Sequence, residues 1–408
     1  MSEIRAAQAT SDAVHAKASA DAALLRGMLP PYLVDVFDAR FLQSHLLYDE
    51  FVYRLVLRVI RETGLESAIR EGGSADEIAA REGLAVDRAV VPLDWMLRVL
   101  AGRGLLEEFA GEGMHKFRAA DRLLTADPAP VREEQLRHDP SWMPAYVLAE
   151  TVAGDYPPFL KGHVAGEDVL FSPRRLRLWV EYFSNQNGLY AVNNRLGAVA
   201  VEQWLPREGG VVLELGGGLG SGAVAVLEGL RAAGRLTALR EYRFTELVPA
   251  FLRRGEQAVR AHRTDSVPVR FDTLDMNRPF EGQGIAPSSV TAVYAVNTLH
   301  VAHDLGFTLD QVLRSLRAGG CLIVSECVRP YPRYAIYAEF VFNLVQTFRS
   351  PHLHPAYRPN GGFLTPGQWK TAIESAGFTG TRFVPDVMRI HREIPDFFAT
   401  AIGAIRPD

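Results

Sequence analysis

A chain of 408 residues, 48% hydrophobic and 23% charged, has the profile of an ordinary globular protein of two or three domains. Its net charge of -4 provides no strongly basic surface to neutralise many phosphates, which argues against a nucleic-acid partner. No apolar run reaches the roughly 18 to 20 residues that span a bilayer, the N-terminus lacks an apolar signal core, and two cysteines, Cys321 and Cys327, make no disulfide framework. A cytoplasmic chain without membrane association is expected.

Residues 1–28 are rich in Ala, Ser and charge and lack a core-facing period, so a flexible arm or an isolated helix is expected there. Residues 29–125 read as helical. Phe51, Leu55, Val56, Val59 and Ile60 recur at helical spacing up to Gly64. Ser74 and Glu77 have the spacing of a capping box for a helix that stops at Gly83. Asp87 can cap the next helix, which carries Leu93, Met96, Leu97 and Leu100. Two short strands, 105–109 and 116–119, then flank a glycine-rich turn. Helices followed by a two-stranded wing describe a winged-helix-like domain. Its last helix carries Arg88 and Arg98, with Arg103 just beyond, but also Asp94 and many apolar side chains, which suits packing better than reading a DNA groove.

Residues 126–205 form a helical connector with clustered aromatics, among them Trp142, Tyr146, Trp179 and Phe183. The run from Tyr182 to Tyr190 mixes rings with amides and is read as a lid; Tyr182 and Tyr190 are candidates to line the pocket of a small-molecule substrate. In residues 206–408 strands alternate with helices, the mark of a doubly wound, Rossmann-like α/β domain with a parallel sheet. Strands are expected at 211–215, 242–246, 269–274, 290–296 and 321–326, and helices at 222–232, 249–260, 309–316 and 365–376. Gly319-Gly320 reads as the C-cap of the third helix.

The chemistry concentrates at the ends of these strands. Gly216, Gly218 and Gly220 follow a strand and precede a helix, so the backbone can turn tightly and approach a ligand. The run lacks the Gly-Lys-Ser/Thr of a P-loop. NAD, ATP and S-adenosylmethionine all remain compatible with the glycines alone. Glu214 at the strand end would repel a phosphate and suits a ligand with an ammonium and a sulfonium, which favours S-adenosylmethionine. Glu246 at the second strand end can accept both ribose hydroxyls. Asp275 at the third can accept from the adenine amino group while Met276 packs on the ring. Each acid alone could be a solvated surface residue; three at consecutive strand ends on the ligand side of a sheet form a constellation.

The segments Val212–Gly218, Phe244–Leu252, Ala295–His300 and Ser325–Pro330 together resemble the class I methyltransferase domains embedded in polyketide synthases, over roughly 205–385. The resemblance implies a catalytic pair, His300 and Glu326, and brings Asn297 into the cofactor site. It implies a class I methyltransferase domain at 206–408. The 29–125 domain resembles the dimerisation domain of small-molecule O-methyltransferases, which implies a homodimer formed through it. Read from the residues, His300 follows the fourth strand and Glu326 ends the fifth, so the two can meet over a pocket. A histidine there can take a proton, and the acid can hold the ring in one tautomer. His303, Arg329 and Tyr337 are further candidates for substrate contact, Arg329 as a clamp on a carboxylate. His352 and His354 lack a third ligand at useful spacing, so no metal is expected.

The organisation departs from that family, since a free-standing chain without carrier-protein or ketosynthase segments is expected. The expected reaction is therefore O-methylation of a hydroxyl or carboxyl group on a natural-product or polyketide-like molecule. The alternative is methylation of an activated carbon, with His300 and Glu326 as base. Alternatives of other classes are an NAD-dependent oxidoreductase and a ligand-sensing DNA-binding regulator.

Overall fold

The computed structural model describes residues 2–111, 114–119, 121, 123, 125–262 and 267–408. The chain divides into two units: Met1–Arg26, Val34–Tyr182 and Arg333–Arg349 form the first, and Gly27–Leu33, Phe183–Pro332 and Ser350–Asp408 the second.

In the first unit, helix Ser2–Arg26 packs along helix Ala39–Thr63. Ala18 and Leu25 are buried, so the segment expected as a flexible arm or an isolated helix is helical and packs within the unit. Helix Ala39–Thr63 starts where the Asp38 carboxylate accepts from Phe41 N and stops at Gly64 in the left-handed region. The Ser74 box is closed on both sides: Glu77 N donates to Ser74 Oγ at 3.2 Å, and Ser74 N to Glu77 Oε2 at 2.9 Å. Helix Val86–Gly102 leads into an antiparallel hairpin of β1 (Glu107–Gly111) and β2 (Met114–Arg118), and Phe117 bridges back to Gly73. This is the winged-helix-like arrangement. The arginines at and after the helix that would read DNA are tied down within the unit. Arg98 meets Asp94 at 2.8 Å, Arg103 meets Asp49 at 2.5 Å and Glu50 at 2.8 Å, and Arg88 donates to the Val164 carbonyl at 3.1 Å.

The 126–205 connector does not form a piece of its own. Helices Ala129–His138, Met143–Leu160, Gly166–Leu170 and Leu176–Tyr182 belong to the first unit, where Tyr146 packs 4.4 Å from Phe51. Helix Gly188–Trp204 belongs to the second, because it packs on the central sheet; the Ser325 hydroxyl donates to its Asn193 carbonyl at 2.7 Å. The chain therefore divides at residue 182 rather than 205, and residues 333–349 return to the first unit.

The second unit is built on a seven-stranded sheet. Its strands are β3 (Gly210–Leu215), β4 (Leu239–Thr245), β5 (Val269–Asp272), β6 (Val290–Val296), β7 (Leu316–Cys327), β8 (Thr379–Val384) and β9 (Ala399–Ile405). The order is β5-β4-β3-β6-β7-β9-β8. The first five run parallel, and β9 lies antiparallel to both β7 and β8. Every residue of β6 is buried, as in a parallel sheet covered on both faces. The doubly wound expectation holds.

Among the boundaries that differ, three have a local cause. The helix expected at 309–316 runs Leu305–Ser315, because Asp304 caps it by accepting from Phe307 N at 3.0 Å. Gly319-Gly320 is no helix cap. The pair lies inside β7, where Gly319 N donates to Arg406 O at 3.0 Å and Arg406 N to Gly320 O at 2.8 Å. And β5 stops at Asp272, so Asp275 sits beyond the strand in a turn that its own carboxylate closes, accepting from Asn277 N at 2.9 Å. Among the described residues no helix is long and apolar enough to cross a membrane.

Candidate cofactor and catalytic site

The second unit gathers Glu214, Glu246, Asp275, His300 and Glu326 at or beyond the carboxyl ends of its parallel strands. Between β3 and helix Ser221–Ala232 the loop turns through Gly216 at φ +60° and Gly218 at φ +57°. At Gly216 a Cβ would strike Thr298, so the turn can pass only as glycine. At Gly218 a Cβ would face open space, with Gly216 O at 4.0 Å, so the backbone presents a bare face to a ligand. Gly220 is the N-cap of the helix.

Two acids frame this loop in different ways. Glu246 follows β4 and is buried; its Oε2 accepts from Gly218 N at 2.9 Å and its Oε1 from Val248 N at 2.8 Å. Burial raises its pKa, and the amides of Val248, Gly218 and Leu247 pull it back. Glu214 lies in β3 itself, and its Oε2 accepts from the Tyr242 hydroxyl of β4 at 3.0 Å. Burial pushes its carboxyl up to about 8, opposed by the Tyr242 bond and reinforced by Glu246. Tyr242 escaped the sequence reading. Its signal was its position on the strand next to Glu214, two residues before the apolar Phe244.

Asp275 is half-buried and pairs with Arg278 at 3.3 Å, while Met276 accepts through its carbonyl from the Thr308 hydroxyl at 3.0 Å. Asn297 has φ +45°, a conformation that asparagine tolerates better than most residues. Its N donates to Ser325 O at 2.8 Å and its Oδ1 accepts from Cys327 N at 3.0 Å, so it pins the end of β6 to β7.

These groups fit S-adenosylmethionine by the chemistry of the donor set. The Glu246 carboxylate accepts from the amides of Gly218, Val248 and Leu247, and an ionised carboxylate offers about four lone-pair sites, so capacity remains for a hydroxyl donor. The carboxylate that holds the loop amide of Gly218 opposes a pyrophosphate at the same place, which disfavours a dinucleotide.

Across β6 stands the second half of the site. His300, in the short turn Leu299–Val301, faces Glu326 of β7, with Nδ1 and Oε2 2.8 Å apart. The side chains are 4% and 0% exposed. Glu326 Oε1 also accepts from Thr298 N at 3.2 Å and His300 N at 3.4 Å. A carboxylate only accepts, so the facing Nδ1 carries the proton and Nε2 carries the lone pair. The Phe363 ring lies 4.5 Å from the imidazole. Arg358, 1% exposed, donates from Nη1 to Ala302 O at 2.6 Å and from Nη2 to His300 O. Neither Phe363 nor Arg358 lay in a motif; both reach the turn from a distant loop, and their local sequence carries no sign of it.

The substrate candidates scatter. Tyr182 and Tyr337 belong to the first unit, where Tyr182 is buried beside Trp179 and the Tyr337 hydroxyl meets His45 Nδ1 at 3.0 Å. Tyr190 belongs to the second unit and packs edge-on to Phe183 at 4.9 Å. His303 is exposed, and its ring lies 6.4 Å from that of His352. Arg329 is buried and donates to Pro332 O at 3.0 Å and Gly361 O at 3.3 Å, so its guanidinium is engaged with backbone carbonyls. Among the described residues no group of three His, Cys, Asp or Glu could hold a metal ion.

A parallel sheet with one antiparallel strand inserted near its edge, a glycine loop after its central strand, and acids at the strand ends define the class I methyltransferase fold. The chain shares that fold with the CurJ carbon methyltransferase, at a TM-score of 0.73 and 20% identity over 98% of this chain and 99% of that one. It is similar also to the trans-methyltransferase CalH, solved in complex with SAH, at a TM-score of 0.56 and 18% identity over 86% of this chain and 90% of that one. In sequence it is 28% identical to the reducing polyketide synthase Preu2 of Preussia isomera over 57% of this chain and 9% of that protein. It is 26% identical to the highly reducing polyketide synthase 2 of Gibberella zeae over 78% of this chain and 12% of that protein. The chain thus spans about a tenth of the length of these curated relatives. No family model matches it.

Proposed function

We propose that this chain is an S-adenosylmethionine-dependent methyltransferase that methylates a small polyketide-like acceptor at an acidic carbon, such as the carbon between the two carbonyls of a β-keto thioester. The observation that carries this reading is the buried contact between His300 Nδ1 and Glu326 Oε2 at 2.8 Å. A carboxylate acceptor is already ionised at neutral pH and needs no base. A buried histidine–carboxylate pair at the strand ends suits an acceptor that must lose a proton. The expectation of an oxygen acceptor rested on the layout of the chain, which carries no chemistry. The likeness to carbon methyltransferases and to polyketide synthases supports carbon, and a hydroxyl acceptor stands as the second reading because the same base serves it.

The cofactor supplies a methyl group made electrophilic by its sulfonium. The protein's part is to bind, orient and move one proton. Glu246 accepts hydroxyl donors, and Glu214 balances positive charge near the loop. His300 Nε2 takes the proton from the acceptor carbon, and the electron pair left on that carbon forms the new bond to the methyl group. With the cofactor bound, the S–CH3 bond would break and its electron pair would pass to sulfur. Glu326 then faces an imidazolium through Nδ1 and lowers its cost in these buried surroundings. The ring later gives the proton to solvent. The first unit would pair two copies; light scattering reads the mass, and a monomer at micromolar concentration ends that part of the proposal.

The test is incubation of the purified chain with S-adenosylmethionine and an acetoacetyl thioester, with mass and carbon NMR analysis of the product. A new methyl on carbon supports the reading. A methyl on oxygen moves it to the hydroxyl alternative. No heat of binding with S-adenosylmethionine in calorimetry, together with binding of NAD(H), overturns it.

A further inference from the structure

The loop 350–363 of the second unit is strapped to the turn that carries His300. His352 N donates to His303 O at 2.7 Å, and His352 Nδ1 faces Asp304 Oδ2 at 3.1 Å. Arg358 donates to the carbonyls of His300 and Ala302, two residues apart on that turn. The loop is itself braced. His354 and Arg358 exchange backbone bonds of 2.9 and 2.8 Å, and the His354 and Tyr357 rings stack at 3.9 Å. Arg358 is one of the largest fully buried side chains of the molecule. A planar guanidinium can hold two carbonyls in one rigid geometry, whereas an ammonium is a point donor on a flexible stem.

We infer that Arg358 is the positioning residue of the His300–Glu326 pair: its fork holds the carbonyls of His300 and Ala302 and so fixes the turn that aims the imidazole. The inference rests on the reading of His300 as the base. Glu326 faces the ring from β7, Arg358 holds the His300 carbonyl from the strap, and His303 and Asp304 follow the turn in sequence. His352 and Tyr357 belong to the strap, His352 paired with Asp304. Asp304 and Glu326 supply the negative charge that Arg358 needs when buried, which ties the guanidinium electrically as well as sterically to the pair.

The experiment measures kcat, KM and cofactor affinity for the full chain with S-adenosylmethionine and an acetoacetyl thioester, in Arg358→Gln, Arg358→Lys and His300→Ala. Arg358→Gln should lower kcat about a hundredfold, with KM for the thioester and cofactor affinity in calorimetry unchanged. Arg358→Lys keeps a donor and loses the fork, so it should lower kcat only about tenfold. A Gln variant with unchanged kcat, or one that loses cofactor affinity or raises KM along with the rate, overturns the inference. If the Gln variant does not fold, the Lys variant decides: a lower kcat with KM and cofactor affinity unchanged supports the inference, and an unchanged kcat or a matching loss of affinity ends it. Full turnover in His300→Ala removes the base reading and the inference with it, a result recognisable without reference to Arg358.

Discussion

Glu214 on β3 and Glu326 on β7 flank the same strand, β6, and both are fully buried, yet their surroundings are opposite. Glu326 is met by three N–H groups, from Thr298, His300 and the imidazole. Glu214 is met by one phenol, from Tyr242, and its carboxyl is pushed up to about 8 by burial. A carboxylate surrounded by donors has its partner before any ligand arrives. A carboxyl held by a single hydroxyl in an apolar place is costly as an anion until a cation comes close. The difference separates the proposed catalytic half of the site, which is preassembled, from the proposed cofactor half, which would be completed by what it binds.

The largest effect should fall on the preassembled half. His300→Ala is expected to reduce kcat by about a thousandfold, within the range for loss of a general base, while calorimetry shows unchanged cofactor affinity. A variant that loses affinity and rate together would dissolve the division into halves. Glu326→Gln should follow with a loss of about a hundredfold, because an amide cannot stabilise the imidazolium. Rapid-quench measurement of a single turnover reads this without interference from product release. On the other side, Glu214→Gln should weaken cofactor affinity by about tenfold and leave kcat at saturating cofactor nearly intact. The same residue makes binding release protons. Below about pH 8 the empty site holds Glu214 protonated, and a bound cation favours the anion. Calorimetry in two buffers of different ionisation enthalpy should show up to one proton released near pH 7 and less above pH 9. No release near pH 7 would mean that Glu214 never meets the cofactor's charge.

How legible this division was depends on the range of the contacts. β3 and β6 could be read because central parallel strands are apolar runs, and the loop because Gly216 and Gly218 stand next to an acid. The cap at Ser74 could be read because both partners of its bonds lie within three residues. Gly319-Gly320 misled for the opposite reason. Two glycines after a helical pattern resemble a helix end, and only their pairing with Arg406 places them in β7. Arg358 and Tyr242 were silent because each acts on a residue far away in sequence. The break at residue 182 was hidden in the same way, since residues 333–349 return to the first unit after most of the second unit's sheet has been made.

The smallest effect is on stability, and it sets the two glutamates apart without any ligand. The Glu214 carboxyl titrates near 8 in the folded chain, against 4.5 as the ordinary value. Between those values the folded state holds one proton more than the unfolded state. Stability due to this group is therefore fully present below pH 4.5, falls as pH rises through the window, and levels off above about 8. Glutamine cannot ionise, yet its carbonyl can still accept from the Tyr242 hydroxyl. The melting temperature of Glu214→Gln minus that of the parent should climb across this window and reach a plateau of a few degrees. Glu326→Gln should instead lower the melting temperature at pH 7, because it trades an accepting oxygen among three donors for an amide nitrogen that must face one of them. A Glu326→Gln variant as stable as the parent there would show that the three donors do not set this site apart.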